Sequence, residues 1–406
     1  MKNGVISRRL QGVRWQDVPF FLSYGVFLAT SVLSTSFYYR YFMGYPYTWI
    51  QSACVALLLI YEFRKGLQGQ NWLGLGICGI MALISLQVST GNLIRLVPLL
   101  FMYTYCARNL HFERVARFSM NLSIVLTCFV VASGYLGIID NVVVAKGSRV
   151  REYLGFRYAL YAPGLLLNIT ALWIYLNRKK PSILGTVILA AVNAWVYYKT
   201  DSRISFALAI LLLVAAQIMR FAPKWVEKLQ GLWALAAASF GICGSVSMVM
   251  TGIYNGSIPR MRKLNSMLES RLSLGKRSLE SKGVSLFARQ ISWVGNGLDA
   301  FGNSTNKAYT YVDCLYVKVM QRYGILFIAA LLGIATWAMY RLWKQKHYHI
   351  LLISATVAVH CILDDLSFAL HYNTFWIAMG VALLCPAMLD WDGKTNQISP
   401  PEIQKE

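Results

Sequence analysis

The chain has 406 residues, 57% of them hydrophobic and only 14% charged, with a net charge of +22. A soluble domain carries about a quarter charged residues, so the composition argues against a large water-soluble core. The apolar residues fall in continuous runs of roughly 16–22, the length that spans a bilayer, rather than in the alternating pattern of a barrel. The expected fold is an all-α polytopic membrane protein.

The first apolar run begins near Val18. It is long enough to span and lacks a small-residue cleavage pattern, so it reads as the first helix and not as a removable signal. In chain order the runs predict helices near 18–38, 46–62, 71–88, 93–107, 118–139, 159–176, 182–198, 204–219 and 231–252. A long polar segment over 253–322 follows, and the spacing of Leu264, Met267, Leu268, Arg271, Leu272 and Leu274 within it predicts a short amphipathic helix. Gly295, Gly297, Gly302, Asn303 and Asn306 mark a flexible stretch, and Tyr311 to Arg322 reads as another helix. Three more apolar runs, near 323–341, 348–364 and 371–389, complete about a dozen predicted spans. A polar tail over 390–406 is expected to be disordered. The chain thus divides into a membrane part over 1–252, a large loop over 253–322, a second membrane part over 323–389 and the tail.

Lysine and arginine set the orientation of such a chain. With the N-terminus inside, the cytoplasmic segments hold Arg8, Arg9, Arg64, Lys65, Arg108, Arg114, Arg178, Lys179, Lys180, Arg341, Lys344 and others. An even number of spans then leaves both termini cytoplasmic and the long 253–322 loop outside. The eight cysteines are scattered with no CxxC pair, so neither disulfides nor a cysteine metal site is expected. Cations divided between two membrane faces also argue against a nucleic-acid partner.

The informative residues are those that break the positive-inside rule. The outer loop after the fifth run holds Lys146, Arg149, Arg151 and Arg157, and the outer turn after the seventh holds Lys199, Asp201, Ser202 and Arg203. The long loop adds Arg260, Arg262, Lys263, Arg271, Lys276, Arg277, Lys282, Arg289 and Lys307. Cations placed against the insertion bias call for a compensating anionic ligand, and the planar guanidinium fork suits phosphate or pyrophosphate oxygens. The alternative is contact with anionic headgroups at the membrane surface. Asp201 stands beside Arg203 and reads as its ion-pair partner or as a base. Asp313 precedes a helix and reads as an N-cap or a base. Asp364 and Asp365 end a predicted span and read as solvated loop carboxylates. His360 and His371, at the ends of apolar runs, suit either a proton shuttle or a structural hydrogen bond. Asp390-Trp391-Asp392 has the form of a metal-binding DxD but lies in the cytoplasmic tail.

Three stretches together resemble a known family. They are Arg151-Glu152-Tyr153-Leu154-Gly155-Phe156-Arg157-Tyr158; Tyr198-Lys199-Thr200-Asp201-Ser202-Arg203, similar to a T-x-S-R at a helix start; and Leu268-Glu269-Ser270-Arg271-Leu272 through Trp293 to Tyr311-Val312-Asp313-Cys314-Leu315-Tyr316 and Tyr323-Gly324-Ile325. In layout nearly the whole chain resembles the Wzy-type polysaccharide polymerases of bacteria, relatives of the O-antigen ligases and of membrane glycosyltransferases of the GT-C kind. The resemblance implies polymerisation of undecaprenyl-pyrophosphate-linked oligosaccharides into capsular or exopolysaccharide at the extracytoplasmic face of the cytoplasmic membrane. Its implied partners are that lipid-linked substrate and the bilayer, with a flippase and a chain-length regulator alongside, and it implies no cofactor and no metal. Arg151, Arg157 and Arg203 are expected to hold the pyrophosphate. Arg271, Arg289, Trp293 and Tyr311 are expected at the glycan, with Tyr309 as a further aromatic. Asp313 is expected as the base, with Asp201 second. The ligases carry a His-Asn motif where this chain has Asp313-Cys314-Leu315-Tyr316, so a histidine base is not expected there. A lipid-linked oligosaccharide flippase and an O-antigen ligase-like transferase are the alternative readings.

Overall fold

The computed structural model describes residues 15–65, 71–88, 96–146, 149–305 and 307–390. The expected disordered tail, the DxD beyond Asp390, the first cations of the chain and Asn306 lie outside the described residues. Helices dominate. The first half carries α1 (Val18–Ser34), α2 (Tyr45–Arg64), α3 (Trp72–Gln87), α4 (Leu96–Cys106), α5 (Phe112–Tyr135), α6 (Tyr161–Leu176), α7 (Ile183–Thr200) and α8 (Arg203–Phe221). The second carries α9 (Pro223–Lys228), α10 (Gln230–Ala237), α11 (Ser239–Ile253), α12 (Pro259–Met267), α13 (Arg271–Lys282), α14 (Leu315–Tyr323), α15 (Ile325–Lys344), α16 (Tyr348–Leu363) and α17 (Phe375–Leu384).

Among the described residues four helices are long and apolar enough to cross a membrane: α5, α7, α8 and α15. A fifth span results if α10 and α11, which meet at a bend of 56°, are taken together. Their outward faces are apolar, with Leu211, Val214 and Ile218 of α8 exposed in one stripe, as lipid-facing helices require. Every other predicted run contains a helix, several of them shorter than expected. α1 stops at Ser34 because the hydroxyls of Ser34, Thr35 and Ser36 turn back onto the carbonyls of Ser31, Val32 and Leu33 at 2.7, 2.6 and 2.8 Å. A 3₁₀ turn over Phe37–Tyr41 follows.

Two departures from the sequence expectations lie outside the bundle. The chain is not wholly α: β1 (Val143–Lys146) and β2 (Arg149–Glu152) form an antiparallel hairpin, with Val144 opposite Arg151 and Lys146 opposite Arg149. Consecutive valines and the alternation Arg149-Val150-Arg151 favour this pleated geometry, which an apolar-run search passes over. The amphipathic helix expected across Leu264–Leu274 is broken. Glu269 and Ser270 adopt positive φ angles of 48° and 69°, so α12 ends and α13 begins at Arg271.

The hairpin is seated on the bundle by a close backbone approach. Gly155 has φ +82°, and a Cβ there would stand 2.7 Å from the carbonyl oxygen of Val130 on α5. A Cβ at Gly134, one turn further along α5, would stand 3.1 Å from the Gly155 backbone. On the hairpin's other side Glu152 pairs with Lys199 of α7 at 2.9 Å and accepts from Asn141 Nδ2 at 2.7 Å. Gly155→Ala is therefore expected to lose at least ~1–2 kcal/mol from the left-handed backbone alone. Thermal unfolding of the detergent-purified variant checks this, and an unchanged midpoint would show that the hairpin can be seated another way.

Candidate functional site

The site is built where four structural segments end together. A strand places alternate side chains on one face, so Arg149 and Arg151 of β2 project together while Glu152 turns to Lys199. Asp201 sits in the turn between α7 and α8 with φ 49°, and Arg203 opens α8. Glu269 occupies the break between α12 and α13, and Arg271 opens α13. The C-terminal end of α16 adds His360, Leu363 and Asp364. These groups, with Tyr158, Lys307, Tyr309 and Asp313, line one cavity of about 690 Å³. That is within the range of small-molecule sites, roughly 300–1,000 Å³.

Charges of alternating sign run along its wall. Arg203 Nε lies 3.2 Å from Asp201 Oδ1, and Asp201 Oδ2 lies 2.7 Å from Arg149 Nε. Arg149 Nη2 donates to Glu269 Oε1 at 3.1 Å, and Glu269 Oε2 accepts from Arg271 Nη1 at 3.3 Å. Arg271 Nε stands 3.8 Å from Asp313 Oδ2 and donates to the Leu363 carbonyl at 3.3 Å. Tyr309 closes the row, its hydroxyl reaching both Asp313 oxygens at 3.2 and 3.0 Å. Burial pushes the Asp313 carboxyl above its ordinary range, against the attraction of Arg271. Arg151 differs from its neighbours: among the described residues its side chain has no hydrogen bond or ion pair, and its Nε is buried without a partner.

Of the residues singled out in the sequence, Arg151, Arg203, Arg271, Asp201, Tyr309 and Asp313 meet in this cavity. Arg157 does not. Its guanidinium is buried, donates to the carbonyls of Ser34 and Leu298, and lies 4.9 Å from the Tyr39 ring. It caps the end of α1 at the Ser34 carbonyl, the one that the following hydroxyls and turn leave open. Arg289 caps α13 in the same way, through the carbonyls of Lys282 and Gly283. Trp293 donates to Ser278 Oγ at 3.1 Å and packs beneath Arg322 at 4.9 Å. Tyr311 is held by Asp365 at 3.0 Å and by Lys318. Neither aromatic is on the cavity wall, so the glycan roles expected for Arg289, Trp293 and Tyr311 have no geometric support. Asp201 lies between two guanidinium groups, the ion-pair reading of that residue. The residue at the N-cap of α14 is Cys314, and among the described residues the Asp313 side chain accepts only from Tyr309.

Arg149, Glu269 and Asp364 were not singled out as site residues. The period-2 alternation of Arg149 with Arg151 was a usable signal for the first. Glu269 and Asp364 become visible only once the break after α12 and the end of α16 are brought together.

The two kinds of arginine should separate in stability. Arg151→Ala removes no side-chain hydrogen bond and is expected to stay within about 0.5 kcal/mol of the parent. Arg157→Ala leaves buried carbonyls unpaired, at about 1–3 kcal/mol for each. Thermal unfolding of both variants in one detergent checks the contrast, and equal midpoints would contradict it. No protein-family model, curated protein or solved structure matches the chain.

Proposed function

We propose that the protein is a bacterial membrane glycosyltransferase that polymerises undecaprenyl-pyrophosphate-linked oligosaccharide repeat units into capsular or exopolysaccharide. In this reading about a dozen helices span the cytoplasmic membrane, both termini are cytoplasmic, and the cavity opens at the extracytoplasmic face. One observation carries it: guanidinium groups from the hairpin, the α7–α8 turn and the head of α13 converge on a single cavity. Headgroup anchors have no reason to converge. A diphosphate that carries a sugar does supply one.

The arginines divide by availability. Arg151 has its donors uncommitted, and the Arg203 side chain is 60% exposed, so these two are placed to take phosphate oxygens first. Arg149 and Arg271 are bound to carboxylates and hold the wall in shape. A diphosphate between Arg151 and Arg203 gains charge as the bond from sugar to phosphate breaks, and fixed donors stabilise that charge more than the ground state. Tyr158, Tyr309 and Lys307 offer aromatic and polar surface to the sugars. The proton released by the acceptor hydroxyl needs a carboxylate on the same wall. Asp201, ion-paired with two guanidinium groups, is poorly suited, which leaves Asp313 and Asp364.

A lipid-linked oligosaccharide flippase would also need cations for the diphosphate, and reconstitution separates the two. Purified protein in liposomes containing lipid-linked repeat units is expected to produce a ladder of polymer. Units that merely change leaflet without a ladder would favour the flippase. Arg151→Ala and Arg203→Ala are expected to fold normally and to stall at single lipid-linked units. Inorganic pyrophosphate is expected to raise the unfolding midpoint of the parent but not of Arg151→Ala. Full-length polymer from either variant would remove that arginine from the proposal.

A further inference from the structure

Four carboxylates line the cavity, and they differ in what neutralises them. Asp201 is bound by Arg149 and Arg203, and Glu269 by Arg149 and Arg271. Asp313 lies near Arg271 and receives the Tyr309 hydroxyl on both oxygens. Asp364 has no ion pair among the described residues. Its Oδ1 accepts the Leu366 backbone N–H at 2.8 Å in the turn that ends α16, and no described protein group takes its Oδ2. The adjacent Asp365 does not share its surroundings. The backbone at Asp364 is extended (φ −148°, ψ 143°), and the Asp365 side chain bonds Lys318 and Tyr311 away from the cavity lining. Two neighbouring aspartates thus have opposite fates: one is neutralised in the protein and the other lines the cavity with an oxygen to spare.

We propose that Asp364 accepts the proton of the attacking hydroxyl, and that Asp313 is a positioning residue held by Arg271 and Tyr309. The inference rests on the glycosyl-transfer reading. In the step, the acceptor oxygen forms a bond to the anomeric carbon while the bond from that carbon to the pyrophosphate oxygen breaks. The lipid pyrophosphate leaves with the electron pair, and the hydroxyl proton passes to Asp364 Oδ2 and later to water. An oxygen already shared among arginines is a weak proton acceptor, because the cation must be abandoned as the proton arrives. Asp364 has no such cation to lose.

The groups that face Asp364 set its titration. They are Asp365 on its own loop, the Cys361 thiol on α16, Asp313 before α14, Arg271 at the head of α13, and the phenols of Tyr158, Tyr161 and Tyr372. His360, one turn back on α16, directs Nδ1 to Ser367 at 2.8 Å. Burial, and then the Asp365 charge, push the Asp364 carboxyl up to about 8, with Asp313 adding to the rise and Arg271 opposing it. A base must be ionised to act, so turnover should rise with pH through about 8 and level off above it.

The test uses the full chain in liposomes with undecaprenyl-pyrophosphate-linked repeat units isolated from its source cells. Asp364→Asn is expected to lower turnover by about 10²–10⁴-fold with KM little changed. Asp313→Asn is expected to retain more activity and to move the rising limb to lower pH, because it removes a negative charge that disfavours ionisation of Asp364. Infrared difference spectra supply a readout independent of turnover: a protonated-carboxyl C=O band present at pH 7 in the parent should be missing in Asp364→Asn. Polymerisation by Asp364→Asn at the parent rate would overturn the assignment alone, as would inactive Asp313→Asn beside active Asp364→Asn. A parent protein that makes no polymer while keeping the infrared band would overturn the glycosyl-transfer reading, and the catalytic assignment with it.

Discussion

A row of opposite charges holds the cavity in one piece: Arg203, Asp201, Arg149, Glu269, Arg271 and Asp313 in succession. Each link joins residues that the chain keeps apart or turns in different directions. Arg149 joins the hairpin to the α7–α8 turn and to the break after α12, and Arg271 joins that break to the segment before α14 and to the end of α16. Apart from the exposed Arg203 these groups are only partly exposed, so water screens them weakly and removing one partner strands the other. The geometry of the row is what makes four segments behave as a single wall.

The same physics explains why the arginines are not equivalent. A guanidinium has five N–H donors, and a helix end or a buried loop has carbonyls without partners. Arg157 and Arg289 meet that second need and are consumed by the backbone. Arg149 and Arg271 are committed to carboxylates that shape the wall. Arg151 and Arg203 remain with donors to offer. The wall is therefore made of charges already held in ion pairs, with the Arg151 donors left open beside them. Such preorganisation favours charge that develops during a reaction, because the donors need not be reoriented when it appears.

The helices are the framework on which this frame depends. The approach of Gly134 to Gly155 lets the hairpin lie against α5, and Arg157 fastens the chain after the hairpin to the end of α1. The left-handed turns at Asp201, Glu269 and Ser270 then aim the charged side chains inward. Strain of this kind is retained where surrounding contacts over-determine it, as the ion pairs do here.

Apolar run length by itself determined that the protein is helical and rich in segments suited to a membrane, because the hydrophobic requirement is local and additive along the chain. The clusters of cations in the predicted outer loops also marked the neighbourhoods of the cavity before any geometry was known, since such clusters are visible in the sequence alone. Which arginine lines the cavity and which caps a helix was not legible, because both kinds look alike until the carbonyls of Ser34 and Lys282 are located. The hairpin was too short to register against long apolar runs. The amphipathic spacing across Leu264–Leu274 gave no warning of the break at Glu269. The opposed fates of Asp364 and Asp365 depended on one extended residue at the end of α16. Those choices belong to the tertiary structure, because an ion pair or a carbonyl cap is decided by distances of a few ångströms between segments that lie a hundred residues apart.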